Sequence, residues 1–109
     1  MSNIVMSLEQ VRTIKVFGLN TDVMKSVFGW IEHENAEPEF SIFDVGMMPA
    51  LTLSELFDIY RSKGLTIDIG KQFITVDFNG KWNMSEPVSA DLMECFYKLT
   101  VKLLKAKRL

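Results

Sequence analysis

His33 is the single histidine, and it sits in the run Glu32-His33-Glu34. Imidazole suits acid–base chemistry and metal ligation near neutral pH, and a neighbouring carboxylate can raise its pKa and orient the ring. Successive side chains on an extended chain point to opposite sides, however, so both glutamates cannot face one ring. A second histidine or an HExxH spacing, needed to complete a zinc site, is missing from the sequence. Cys95 is the one cysteine and lies between Glu94 and Phe96. A nucleophilic thiolate needs a nearby cation or a helix N-terminus and a base, so this acidic and apolar setting points to packing instead. One cysteine also closes no intrachain disulfide. Asp68 and Asp77 fall on neighbouring candidate strands and could face each other there, as paired carboxylates do in acid–base catalysis. On a solvated sheet face such residues are ordinary. The six glycines, at 18, 29, 46, 64, 70 and 80, form no GxGxxG, P-loop or GxSxG pattern. The expectation is a protein that is not an enzyme, with no catalytic residue, cofactor or metal site.

Charge is distributed more informatively. Residues 1–60 hold three basic and nine acidic side chains, whereas residues 61–109 hold nine basic and five acidic. Glu32, Glu34, Glu37 and Glu39 crowd a segment that also contains Pro38, a polar loop able to meet a basic protein surface or simply to stay solvated. Trp30 lies just before it and would serve as an aromatic anchor if exposed. Met47-Met48 suits adaptable packing. Near the other end, Lys98, Lys102 and Lys105 share one side of a helical stretch. They could contact phosphates, or be a solvated face matched to the helix dipole. A nucleic-acid binder would normally be basic overall, but twelve Lys and Arg stand against fourteen Asp and Glu, a net charge of −2.

The elements that must position these groups can be read from caps and periodicity. Residues 1–6 lack a period and read as a flexible or loosely docked end. Ser7 and Gln10 have capping-box form, and Leu8, Val11, Ile14 and Phe17 then recur at helical spacing up to Gly18. Val23, Met24, Val27, Phe28 and Ile31 predict a second helix beginning near Asn20. Phe40 to Val45 is a short strand candidate. Thr52 and Glu55 form another capping box, with Leu51 and Leu56 placed as a hydrophobic staple, ahead of a helix ending at Gly64. Three strands follow between Leu65 and Met84, the last two joined at Asn79-Gly80, a strong hairpin signal. Ser85-Glu86-Pro87 ends this meander. Ser89 then caps a helix from Ala90 to Lys107, with Leu92, Phe96, Leu99 and Leu103 on its apolar face.

The expected fold is therefore α+β over residues 1–109: a small antiparallel meander of three to four strands packed with helices, in the order α-α-β-α-β-β-β-α. Hydrophobic residues make up 48% of the chain and charged ones 24%, which suits one folded domain. The absence of an apolar run of about 20 residues and of a signal peptide points to a cytosolic protein without membrane contact.

The run Pro49-Ala50-Leu51-Thr52-Leu53-Ser54-Glu55-Leu56, with Lys63-Gly64-Leu65, Phe78-Asn79-Gly80-Lys81-Trp82 and Asp91-Leu92-Met93-Glu94, resembles small proteins of phages and integrated mobile elements. These include ones with the phage ABA-sandwich layout. The resemblance covers roughly the C-terminal half and implies a small accessory or regulatory protein, without assigning functional residues. Three functional expectations follow. The first is a protein-interaction or regulatory domain using Trp30, Glu32, Glu34, Glu37 and Glu39. The second is a nucleic-acid-associated protein using Lys98, Lys102 and Lys105. The third is a homo-oligomer joined through an open sheet edge.

Overall fold

A computed structural model describes residues 5–21, 24 and 26–109. The elements run α1 (Leu8–Val16), β1 (Phe28–Ile31), β2 (Glu39–Ile42), β3 (Met48–Pro49), α2 (Leu53–Ser62), β4 (Thr66–Ile69), β5 (Phe73–Phe78), β6 (Trp82–Pro87) and α3 (Leu92–Lys105). Two antiparallel three-stranded sheets result, ordered β2-β1-β3 and β4-β5-β6. The α+β class is as expected, and the elements from Phe40 onward keep the expected order with the two-residue β3 added.

Both capping boxes form. Ser7 Oγ accepts from Gln10 N while Ser7 N donates to Gln10 Oε1. Thr52 and Glu55 make the same reciprocal pair at the start of α2. Each satisfies two of the amide donors that a helix N-terminus leaves open. Leu51 and Leu56, the expected staple, are both buried in the main core. That core gathers Val11 and Ile14 of α1, Leu56 and Tyr60 of α2, Ile74 and Val76 of β5, and Phe96, Leu99 and Leu103 of α3.

The second sheet carries its helices on one face, with α3 against β6 and α2 against β4, which makes this part a two-layer sandwich. Ile74 and Val76 point into the core, while Phe73, on the outer face, is half exposed. Asn79 and Gly80 both take positive φ, 49° and 73°, the conformation this turn needs. Strand β6 runs three residues past Met84, through the segment expected to break it. Two pairings explain the extension: Ser85 Oγ meets Thr75 Oγ1 at 2.9 Å on the outer face, and Glu86 turns inward beneath α3. Pro87 is tolerated because β6 is an edge strand and Pro87 is its last residue.

Three other local expectations are corrected. The stretch ending at Ile31, expected as helix, is strand over Phe28–Ile31; Val23 lies outside the described residues. Its aromatic and β-branched residues satisfy either period, and pairing with β2 and β3 decides between them. Gly29 fits the strand for a definite reason. A Cβ there would come within 3.0 Å of Met47 Sδ and 3.2 Å of Phe43 Cδ1, so the missing side chain admits this close approach. At the N-terminus, Val5 and Met6 are buried rather than loose: Met6 N donates to Leu51 O at 2.8 Å, and Val5 bridges to Thr52. Residues 1–4 of the same expectation lie outside the described residues. Finally, Asp91 and not Ser89 caps α3, accepting from Glu94 N at 3.1 Å. The helix stops at Lys105 because Lys107 turns to φ 57° and Arg108 N reaches back to Leu103 O.

Candidate functional site

The first sheet brings together most of the residues marked out by the acidic segment. On β1, Phe28 and Trp30 share a face with Phe40 and Ile42 of β2, because the register pairs Phe28 with Ile42 and Trp30 with Phe40. The rings of Phe28 and Phe40 lie 4.9 Å apart, and Trp30 meets Phe40 edge-on at 5.6 Å. Trp30 is half-buried, and its indole N–H donates to Met6 O at 3.0 Å. It thus fastens the sheet to the start of α1 instead of standing free as an anchor. The exposed members are Phe40, Ile42 and, in the following loop, Val45, which are 40%, 76% and 94% exposed. Composition offered no warning of this, since exposure depends on which strand ends the sheet.

The four glutamates divide. Glu32 pairs with Arg12 of α1 at 2.8 Å, and Glu39 meets His33 Nε2 at 3.3 Å. Glu34 and Glu37 are exposed on the β1–β2 connection. An open groove of about 530 Å³ runs between this connection and α1, lined by Arg12, Trp30, Glu32, His33 and Glu37 among others. His33 therefore lies among carboxylates and one guanidinium. No cluster of three or more His, Cys, Asp or Glu residues suited to a metal occurs among the described residues.

The first sheet is tied to α2 through a single carboxylate. Glu55 Oε1 accepts from Thr52 N, Thr52 Oγ1 and Ser26 Oγ, and Oε2 accepts from Val27 N, all between 2.8 and 3.1 Å. The capping glutamate is thus also the joint between the helix and the entry to β1. The spacing identifies its capping role, whereas its second role depends on a contact across 28 residues.

The other singled-out groups are engaged structurally. Cys95 is buried and receives the Ser89 N–H at 3.1 Å. Asp68 is opposite Thr75, and Asp77 opposite Thr66, so the two aspartates are diagonal neighbours and not a directly facing pair. Asp77 Oδ2 instead accepts from Gly80 N in the hairpin turn. Of the three lysines on α3, Lys102 pairs with Glu86 at 2.6 Å and also donates to Ser85 O. Lys105 Nζ lies 5.0 Å from the Phe17 ring centroid. Lys98 remains at the rim of an open groove with Tyr97, Val101 and Glu86. In the core beneath, burial pushes the Tyr60 phenol far above its ordinary pKa, partly opposed by its hydrogen bond with Thr100.

No family model, no curated protein and no solved structure matches the chain. No helix among the described residues is long and apolar enough to cross a membrane.

Proposed function

We propose that this chain is a non-enzymatic protein-interaction or regulatory domain whose working surface is the first sheet. One observation carries the reading: Phe40 and Ile42 are exposed on one face of β2, and that strand begins at a segment holding Glu32, Glu34, Glu37 and Glu39. An apolar centre with a charged rim is the usual anatomy of a recognition surface. Cys95 is buried and takes the Ser89 N–H, which suits a packing role for the thiol. An accessory role in a phage or mobile element is the setting implied by the resemblance of the C-terminal half. Affinity capture from lysate of the source cells tests the reading, comparing the native chain with Ile42→Lys. A partner retained by the native chain and lost by the variant is expected. Equal capture by both, or turnover in a broad substrate panel, would overturn it.

The nucleic-acid reading has weaker support. Lys102 is already held by Glu86, and Lys105 is occupied over Phe17, so two of the three cations would exchange existing contacts for phosphates. Titration of labelled DNA and RNA at low salt addresses it, with little binding expected.

A further inference from the structure

Strand β2 ends the first sheet, and its hydrogen-bond phase can be worked out. Phe43 N donates to Val27 O at 3.1 Å, and the pairs then continue Phe28–Ile42, Gly29–Ser41, Trp30–Phe40 and Ile31–Glu39. Antiparallel residues alternate between bonding to the partner strand and directing their N–H and C=O away. Ser41 and Glu39 therefore bond to β1, and the backbone groups of Phe40 and Ile42 face outward. The opposite side of β1 agrees. Ala50 N donates to Phe28 O at 2.9 Å, which assigns Phe28 and Trp30 to β3 and leaves Gly29 and Ile31 for β2. The two residues whose outward backbone groups have no strand partner among the described residues are thus the same two whose apolar side chains are exposed on the sheet face. Edge strands are normally blunted by charge, proline or a bulge. Here Pro38 and Glu39 blunt the start of the edge, and Phe40 to Ile42 carry no such device.

We infer that β2 accepts an added strand from a basic, extended segment of a partner protein. This rests on the reading of the first sheet as the interaction surface and names the partner's chemistry. Strand addition uses main-chain hydrogen bonds for affinity and alternate side chains for specificity. The outward groups of Phe40 and Ile42 supply the first, and their side chains supply a platform for the second. Charge selects the partner. Glu34 and Glu37 have no ion pair among the described residues, and they attract lysine or arginine flanking an incoming strand. A second copy of this chain would bring no such partner, since residues 32–60, which hold β2 and both of its connections, contain no lysine or arginine.

The probe is a short synthetic peptide alternating valine and threonine between flanking lysines, with a glutamate-flanked version as control. Amide exchange is followed by NMR on the intact chain. The lysine-flanked peptide is expected to slow exchange at the Phe40 and Ile42 amides by at least about tenfold. It should bind at least about tenfold more tightly than the glutamate-flanked one, with the difference shrinking as salt rises. Ile42→Lys, an exposed change that leaves the core untouched, should abolish the protection. No binding by the lysine-flanked peptide, or protection confined to other amides, would overturn the inference. So would self-association in sedimentation with Phe40 and Ile42 protected in the absence of peptide. Peptide failure combined with Ile42-dependent capture from lysate would remove strand addition while leaving the interaction reading in place. Failure of both removes both.

Discussion

The two sheets of this molecule are alike in strand number and pairing but opposite in the way they are finished. In the second, β5 contributes Ile74 and Val76 to the core, and helices close over the inner face. In the first, the aromatic face of β1 and β2 is only partly covered, and its terminal strand leaves Phe40 and Ile42 exposed. The first sheet is also the acidic end and the second part of the basic half. The contrast teaches that the helices bury their apolar faces against the second sheet, while the first sheet is held in place by a few specific fastenings. Two of these are the Trp30–Met6 hydrogen bond and the four-donor grip of Glu55. A surface held by few fastenings can remain open without costing the fold much.

The sharpest way to break the contrast is to remove bulk from the second part. Phe96→Ala, at a fully buried position on α3, should cost about 3–5 kcal/mol, measured by chemical denaturation. A loss of less than about 1 kcal/mol would show that the core is not where stability resides. Next, Glu55→Ala severs the joint between α2 and β1, and about 2–3 kcal/mol is expected from the lost charge-assisted hydrogen bonds. Amide exchange should speed up in β1 and β2 before it does in β5. Uniform acceleration across both sheets would mean that they unfold as one unit.

A smaller effect distinguishes the buried hydroxyl cluster. Tyr60 OH lies 2.5 Å from Thr100 Oγ1, which itself donates to Phe96 O at 2.7 Å. Tyr60→Phe should cost about 1 kcal/mol at neutral pH. Its pH dependence has a definite sign. Because burial raises the folded-state pKa, the unfolded chain loses the phenolic proton first, near the ordinary pKa of about 10. Stability contributed by the neutral phenol is complete below that pH and falls above it. The variant should lose this alkaline slope, and a native-like slope in Tyr60→Phe would assign it to other groups. The smallest change belongs to the open edge. Ile42→Ser should alter stability by less than about 0.5 kcal/mol, and a larger loss in thermal melts would mean that this side chain serves the fold.

Signals that act over a few residues were readable in advance. Ser7 with Gln10, Thr52 with Glu55, and Asn79-Gly80 each contain both partners of their interaction within four positions, and all three form as expected. Misreadings occur where two local solutions compete. Residues 28–31 fit a helical or an extended period, and only β2 and β3 select the strand. Ser89 and Asp91 are both good caps, and the choice follows from Ser89 being drawn to Cys95. The candidate surface was legible only in part: the acidic segment is evident from composition, but Phe40 and Ile42 gain their interest from lying on a terminal strand.

Amino-acid order alone specified the α+β class, the two helix starts, the hairpin and the separation of charge, because each rests on side-chain type and short-range spacing. Tertiary packing decided the rest. It turned Trp30 inward to Met6, occupied Lys102 with Glu86, gave Glu55 a second set of donors and left β2 at the margin of its sheet. Those outcomes depend on groups far apart in the chain, whose meeting is set by which apolar faces bury one another.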